Sequence, residues 1–318
     1  MPIALEIEAA PSGTSRADSP APVPLLFIGG TGRSGTHVVS KILKSGSHFR
    51  KVPNEVRFHV DAGGFPDLLA GRIGPDLFAY RLEHHWWRNF EPARRSFRGL
   101  YRYVPKARMR AATASFLRRF EIEPEAACRQ LFFDLLWPLA TEEAKAGLIE
   151  QSCDVVAEAG TLGMLFPEAR FIHVVRDGRD VAASRVGQAR WLAHPRTMAE
   201  GLDWWEGRIR RIDAGIRAVE RERVYEISLD DLVSGNQRVR TYRRMRRFAG
   251  LGNDPSMARY FKRRVRRRNA HAERWRREIP ERRHDEIDAR YEEILERLEA
   301  DGVSCAPLLR HVHSRRAA

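Results

Sequence analysis

The sequence predicts an α/β fold with a mainly parallel central sheet flanked by helices and with a helical insertion. Short apolar runs typical of buried strands occur at residues 25–29 and 171–175, and a polar turn and a helix-like segment follow each run. Residues 66–147 are mostly helical in pattern, with little strand signal. Because strands and helices alternate outside this stretch, we expect parallel strands with functional loops at their carboxyl ends.

The length of 318 residues allows one large domain or two modest ones. We expect a single domain over 24–305 that contains the insertion at about 66–147, with a C-terminal tail over 306–318. Residues 1–23 are rich in Pro, Ala and Ser and lack the pattern of a secretory signal, so they predict a flexible N-terminal tail. No apolar run approaches the roughly 18 residues of a membrane span, and we expect a cytoplasmic protein.

A glycine-rich loop follows the first predicted strand. Strand, loop and then a helix starting at Thr36 is an arrangement that directs backbone N–H groups and a positive helix end at an anion, although an ordinary tight turn is the alternative. Gly30 and Gly35 have the spacing of a nucleotide-binding P-loop, but Thr36 and His37 stand where Lys and Ser or Thr are required. The cation is Arg33, inside the loop. This disfavours Mg-nucleotide hydrolysis and favours a donor bound by a guanidinium group.

The second predicted strand ends at Arg176, and Ser184 follows eight residues later. With both motifs in this order, the chain resembles the sulfotransferases that use 3′-phosphoadenosine 5′-phosphosulfate (PAPS), a family with a P-loop NTPase-like fold, and in particular bacterial members similar to the tyrosylprotein and carbohydrate branch. The resemblance implies that the glycine loop holds the 5′-phosphosulfate. It also implies that Arg176 and Ser184 hold the 3′-phosphate.

Glu55 is the predicted catalytic base. In several members of the family, including the tyrosylprotein sulfotransferases, a Glu-x-Arg segment just after the first helix accepts the proton of the acceptor hydroxyl, and Glu55 and Arg57 match it. If this segment is extended, both side chains lie on one face. A carboxylate is already ionised at neutral pH and can accept a proton as the bond to sulfur forms. A surface ion pair is the alternative. The cytosolic branch uses a His, so His59 is a rival.

Residues 148–154 resemble the family's strand that ends in Glu-Lys-Thr-Pro, with Gln151 in place of Lys and Cys153 in place of Pro. In relatives, that lysine contacts the bridging oxygen between phosphate and sulfur. Gln can donate a hydrogen bond but carries no charge, so Arg33 would do most of this work. Charge-assisted hydrogen bonds are worth about 1.5–3 kcal/mol each, which makes Arg33 the predicted catalytic cation.

Arginine is concentrated between residues 238 and 283, within a chain whose formal charge is +14. Such a run suggests a nucleic-acid-binding arm. The family instead places an Arg-rich loop over the 3′-phosphate, with a Trp seven residues after the key Arg, and Arg268 and Trp275 have that spacing. A partly ordered donor lid and a solvated helix face at 262–268 both remain open.

The predicted reaction is in-line transfer of a sulfuryl group from PAPS to a hydroxyl of a sugar, lipid, small molecule or peptide, without a metal ion. The alternatives are a P-loop-type kinase and a basic nucleic-acid-binding protein, the latter less favoured. The sequence leaves the acceptor and the oligomeric state open. The predicted catalytic residues are Arg33 and Glu55, and the predicted donor-binding residues are Gly32, Arg33, Ser34, Gly35, Thr36, His37, Arg176, Ser184 and Arg268.

Overall fold

Five parallel strands form the central sheet of the protein, which a computed structural model describes over residues 24–91, 95–188 and 194–317. The predicted tail at 1–23 lies outside the described residues. Within them, the strands are β1 (Leu25–Gly29), β2 (Phe49–Lys51), β3 (Asn89–Glu91), β4 (Ser96–Arg98), β5 (Gly147–Glu150), β6 (Arg170–Val175) and β7 (Val224–Ser228). The sheet order is β2-β5-β1-β6-β7, and every neighbouring pair is parallel. This confirms the predicted parallel central sheet.

Helices cover both faces of the sheet, which explains why β1 is apolar at consecutive positions. Leu25 and Phe27 pack in a cluster with Phe132 of the insertion, whereas Leu26 and Ile28 pack on the opposite face. The described helices are α1 (Thr36–Lys44), α2 (Phe65–Leu69), α3 (Pro75–Arg81), α4 (Lys106–Phe120), α5 (Pro124–Leu136), α6 (Pro138–Thr141), α7 (Ala159–Leu165), α8 (Gly178–Val186), α9 (Met198–Arg217), α10 (Leu229–Val233), α11 (Arg238–Phe248), α12 (Pro255–Arg264), α13 (Arg267–Ala270), α14 (Arg274–Glu278), α15 (His284–Ala300) and α16 (Ala306–Ala317). Among them, none has both the length and the apolar composition to cross a membrane.

The stretch predicted as a helical insertion contains α2 to α6 and also a short antiparallel hairpin, β3–β4. Phe90 and Phe97 pair across the hairpin, with ring centroids 5.3 Å apart. Sequence analysis did not anticipate these strands, because three residues are too few to show an alternating pattern. The hairpin matters for function, since it forms one wall of a cavity described below.

The C-terminal region is mostly helical as far as Ala317. The apolar face of α15 is buried as its periodicity predicts, and the helix ends before Gly302, which has a φ of 65°. Residues 306–317 form α16, so the expectation of a tail there is wrong. Ala306 and Leu309 are buried in the cluster that contains Trp205 and Tyr291, and this packing holds a helix whose own sequence has weak periodicity.

Gly35→Ala is expected to lower the free energy of unfolding by about 1–3 kcal/mol. Gly35 has a φ of 96°, and a Cβ there would lie 2.6 Å from Cδ2 of the buried Leu229. Urea denaturation measures the free energy of unfolding of Gly35→Ala and of a control, Gly252→Ala. At Gly252 the added Cβ meets no atom within 4 Å. Equal effects at the two positions would contradict the role of the left-handed turn.

Candidate active site

The loops after all five strands of the central sheet meet in one cavity of about 570 Å³, here called the main cavity. Its lining includes a residue from beyond the end of each strand: Glu55 after β2, Asp154 after β5, Thr36 after β1, Arg176 after β6 and Leu229 after β7. Parallel strands bring their carboxyl ends to one edge, and open α/β sheets bind ligands there. The cavity therefore lies where the fold class predicts a site.

Positive charge dominates the main cavity. Burial lowers the pKa of Arg185, and the neighbouring charges of Arg208 and Arg33 lower it further, as expected where cations are concentrated. This distribution suits a ligand with several negative charges. The lining contains five guanidinium groups and two carboxylates: Arg33, Arg57, Arg176, Arg185 and Arg208, with Glu55 and Asp154.

The glycine loop forms the floor of the main cavity. Gly32, Arg33 and Gly35 have φ values of 81°, 61° and 96°, and this left-handed backbone turns the chain sharply before α1 begins at Thr36. Such turns at a helix start can present N–H groups to an anion. The hydroxyl of Ser34 is buried without a hydrogen-bond partner among the described residues, and Ser34 is absent from the lining of the main cavity.

The two predicted donor motifs meet, although they are far apart in the chain. Arg33 Nε donates to Ser184 Oγ at 2.9 Å, and Arg176 Nη1 donates to the carbonyl oxygen of Arg33 at 2.9 Å. Asp177 caps α8 by accepting from the backbone nitrogen of Arg179, an interaction that carboxylates favour at a helix start. One hydrogen-bonded cluster thus contains three of the predicted donor-binding residues.

Part of the Arg-rich region packs against this cluster. Arg176 Nη2 donates to the carbonyl oxygen of His271 at 2.7 Å, and Arg274 Nη1 donates to Ser184 Oγ at 3.2 Å. The buried Asp180 accepts from the backbone nitrogens of Glu273 and Trp275. The segment 271–275 is therefore fastened to α8, next to the glycine loop.

The Arg-rich region contains both an exposed helix face and a packed segment. Residues 262–264 are exposed on α12, as a solvated helix face would be. Trp275 is fully buried, with the Arg179 guanidinium 5.0 Å from its ring centre, so it packs in the core. Arg268 lies in α13, but its side chain is outside the described residues, and its donor role stays a prediction.

Glu55 lines the main cavity. Its Oε2 accepts from Arg57 Nη1 at 3.1 Å, and its Oε1 lies 3.6 Å from Cys153 Sγ. Burial raises the pKa of Glu55, and the charge of Arg57 opposes this rise. The segment is not extended, because Arg57 has a φ of 58° and its side chain turns toward Asp61 and Asp154. This turn lets the Arg57 guanidinium reach back to the Glu55 carboxylate and form the ion pair.

His59, the rival base, lies in the core. Its side chain is fully buried, and its Nε2 lies 3.0 Å from Oε2 of the equally buried Glu150. The imidazole stacks on Phe27 and packs edge-on against Phe132. It is absent from the lining of the main cavity, whereas Glu55 is part of that lining.

A family model fits this arrangement. The model described as the sulfotransferase family matches residues 24–255, which include the glycine loop, Glu55 and Arg176. The chain belongs to the sulfotransferase family. This confirms the resemblance and supports sulfuryl transfer as the general activity, while the particular similarity to the tyrosylprotein branch stays a prediction.

Three solved structures similar to this sulfotransferase come from bacteria. The sulfotransferase domain of the Synechococcus olefin synthase shares 18% identity over 82% of this chain and 91% of that chain, with a TM-score of 0.48. A sulfotransferase from Alicyclobacillus acidocaldarius shares 17% identity over 87% and 94% of the two chains, with a TM-score of 0.43. One from Mycobacterium tuberculosis shares 15% identity over 76% and 72%, with a TM-score of 0.42. Among curated protein sequences, none matches this one.

In this sulfotransferase, Gln151 orients His37. Gln151 Oε1 accepts from Ser40 Oγ at 2.6 Å, so its amide nitrogen donates to His37 Nδ1 at 2.9 Å. Burial lowers the pKa of His37, and Lys51, Lys41 and Arg33 lower it further. Neutral His37 therefore carries its proton on Nε2, and the imidazole lines the main cavity.

A second cavity of about 620 Å³, here called the side cavity, shares a wall with the main cavity. Glu55 lines both cavities, together with Arg33, His37 and Arg57. The remaining lining of the side cavity is Pro53, Asn54, Arg98, Gly99, Arg102 and Gln151. A carboxylate in a shared wall can act on groups from both sides.

Several residues that line the main cavity were not predicted from the sequence: Arg185, Trp204 and Arg208. Arg208 pairs with Asp154, which also accepts from Arg57 Nη2 at 3.0 Å. The Arg185 guanidinium lies 4.7 Å from the ring centre of Trp204. Arg185 directly follows Ser184 of the second motif, so the sequence could have indicated it. Arg208 and Trp204 lie within α9, where no motif distinguishes them.

A group of three side chains of metal-ligating type, one of them partly exposed, lies outside both cavities. Within the described residues, ligand atoms of His173, Glu226 and Cys305 lie within 4.8 Å of one another. Glu226 Oε1 already accepts from Ser304 Oγ at 3.1 Å and lies 3.0 Å from His173 Nδ1. Because none of the three residues lines the main cavity, this group is separate from the proposed chemistry.

Proposed function

We propose that the protein transfers a sulfuryl group from PAPS to a hydroxyl acceptor. The observation that carries this proposal is the position of Glu55 in the wall between a strongly cationic cavity and a second cavity. Donor and acceptor would then approach from opposite sides of the predicted base. The missing P-loop lysine disfavours the kinase alternative, since Thr36 lines the cavity at the position where the lysine is required.

The donor would occupy the main cavity. Arg33 and the N–H groups of the glycine loop would bind the 5′-phosphosulfate. Arg176 and Ser184 would hold the 3′-phosphate. The hydrogen bond between Arg33 and Ser184 would be exchanged for bonds to the donor, because both groups serve it.

During transfer, the acceptor oxygen forms a bond to sulfur while the bond from sulfur to the phosphate oxygen breaks. The hydroxyl proton passes to Glu55, and 3′-phosphoadenosine 5′-phosphate leaves. Arg33 stabilises the charge that builds on the leaving phosphate, and His37 Nε2–H donates a hydrogen bond to the same group. Gln151 acts through His37 by fixing its protonated nitrogen. The step uses no metal ion.

Calorimetry with 3′-phosphoadenosine 5′-phosphate tests this proposal. We expect 1:1 binding in the micromolar range, weakened at least about tenfold in Arg176→Gln by loss of a charge-assisted bond. Transfer of label from sulfur-labelled PAPS to a cell extract would then report activity. No affinity for the nucleotide, or turnover of Mg-ATP instead, would refute the proposal, as would salt-sensitive nucleic-acid binding without nucleotide binding.

A further inference from the structure

The thiol of Cys153 lies beside the predicted base. Of the three cysteines, Cys153 lines the main cavity and is partly exposed, whereas Cys128 and Cys305 are buried. Its Sγ lies 3.6 Å from Glu55 Oε1, within hydrogen-bonding distance for sulfur. A Cβ built on Gly32 would lie 3.9 Å from the same sulfur atom. The thiol therefore adjoins both the predicted base and the predicted donor loop.

The backbone around Cys153 fixes the position of this thiol. Cys153 begins a short 3-10 helix that follows β5. Its carbonyl oxygen accepts from the backbone nitrogen of Gly30 at 3.0 Å, which joins it to the start of the glycine loop. On the other side, the backbone nitrogen and the hydroxyl of Ser152 donate to the buried carboxylate of Glu150 at 3.0 and 2.8 Å. Because the backbone is held on both sides, the thiol can move only by rotation about χ1.

The thiol of Cys153 keeps its proton at neutral pH. Burial raises the pKa of Cys153 to about 12, and the negative charges of Glu55 and Asp154 contribute to this rise. A protonated thiol is a weak hydrogen-bond donor, and the nearby carboxylate oxygen is its acceptor. Since the thiolate is the reactive form of cysteine, this thiol is suited to donate a hydrogen bond and not to act as a nucleophile.

The two carboxylate oxygens of Glu55 have different donors. Arg57 Nη1, which is charged, donates to Oε2 at 3.1 Å, whereas the neutral thiol of Cys153 donates to Oε1. A charged donor stabilises negative charge on its acceptor more than a weak S–H donor does, so Oε1 is the more basic oxygen. Each carboxylate oxygen has two lone-pair sites, so Oε1 can accept from the thiol and still receive a proton.

From this geometry we propose that Cys153 is a positioning residue, whose thiol holds Glu55 Oε1 in place to receive the proton of the acceptor hydroxyl. The inference rests on the proposed sulfuryl transfer and adds the group that orients its base. As the acceptor oxygen bonds to the sulfuryl group, its proton passes to Oε1, and the thiol keeps its own proton. Arg57 and Cys153 together fix the carboxylate, as supporting hydrogen bonds do for catalytic groups.

Cys153→Ala tests this role, because it removes the thiol and leaves the backbone hydrogen bond to Gly30. A hydrogen bond to a carboxylate lowers its pKa, so loss of the thiol should raise the pKa of Glu55. Because the carboxylate is the active form, the acidic limb of the rate profile should move to higher pH, by up to about one unit. The initial rate at neutral pH should fall about two- to tenfold, the effect of one ordinary hydrogen bond. Both are measured as label transfer from sulfur-labelled PAPS to one batch of cell extract.

Cys128→Ala is the matched control, because Cys128 is buried in α5 and lines neither cavity. It should keep the parental rate and acidic limb, and thermal unfolding reports any loss of packing. Cys153→Ser restores a hydroxyl donor and should recover part of the lost rate. All these variants retain the other charged and titratable groups that face or act on Glu55, which are Arg57, Glu150, Lys51, Asp154, His37 and the arginines that line the two cavities.

The inference would be overturned by a Cys153→Ala variant that unfolds at the parental temperature and keeps both the parental rate and the parental acidic limb. An unchanged limb with a raised KM for PAPS would also overturn it, because the sulfur would then contact the donor and not the base. Loss of 3′-phosphoadenosine 5′-phosphate binding or of label transfer in the parent protein would instead refute sulfuryl transfer itself.

Discussion

Arg33→Gln is expected to lower the rate of sulfuryl transfer by about 10²–10³-fold, the loss typical of removing one preorganised donor from developing negative charge. Arg33 is the cation inside the glycine loop, and its guanidinium reaches Ser184 of the second donor motif. Glutamine also has a polar side chain. The backbone strain of the φ of 61° at this position is similar for glutamine and arginine, since neither is glycine. The substitution therefore removes charge with little change in backbone strain.

The measurement is the initial rate of label transfer from sulfur-labelled PAPS to extract acceptors, together with calorimetry and thermal unfolding. Arg118→Gln, the same substitution at an exposed site, should retain the parental rate. Arg33→Lys should fall between the parent and Arg33→Gln, because lysine keeps the charge but loses the planar donor pair. If Arg33→Gln transfers at the parental rate while it unfolds at the parental temperature, Arg33 is not the catalytic cation.

The glycine loop and the strand that ends at Arg176 could be predicted because their signals are local. The glycine loop needs left-handed backbone at Gly32 and Gly35, and an apolar strand followed by Arg176 is visible within a few residues. Parallel topology then brings such strand ends together without further information. The α15 face could be predicted for the same reason, since its apolar period lies within one helix.

The side cavity depends on packing that no local pattern encodes. The β3–β4 hairpin is held by the approach of Gly99 to the backbone of Trp86 and Trp87, and α16 is held by burial against α15. Arg102 and Arg208 have no distinguishing neighbours in the sequence, and they line the cavities because these elements dock as they do. Tertiary contacts therefore decided which of many arginines belong to the site.

Glu55→Gln is expected to lower the transfer rate by about 10²–10⁴-fold, the usual contribution of a positioned general base. Glutamine preserves the size of the side chain and can still contact Arg57, but it cannot accept the hydroxyl proton. Glu123→Gln is the matched control, because Glu123 is an exposed glutamate paired with Arg119 and lines neither cavity. The affinity of Glu55→Gln for the nucleotide should stay near the parental value, because the substitution slows the transfer step and does not weaken donor binding.

The pH profile separates a base from a residue that only maintains the ion pair. Burial raises the pKa of Glu55 above its ordinary value of 4.5, and the negative charge of a bound donor should raise it further. Because the carboxylate form is the active one, the rate should fall as the pH drops through this raised pKa, and Glu55→Gln should lose that acidic limb. An acidic limb that survives in Glu55→Gln, with a rate close to the parental one, would assign the proton to another group. A low rate with an unchanged acidic limb would assign Glu55 the lesser role of holding Arg57 in place.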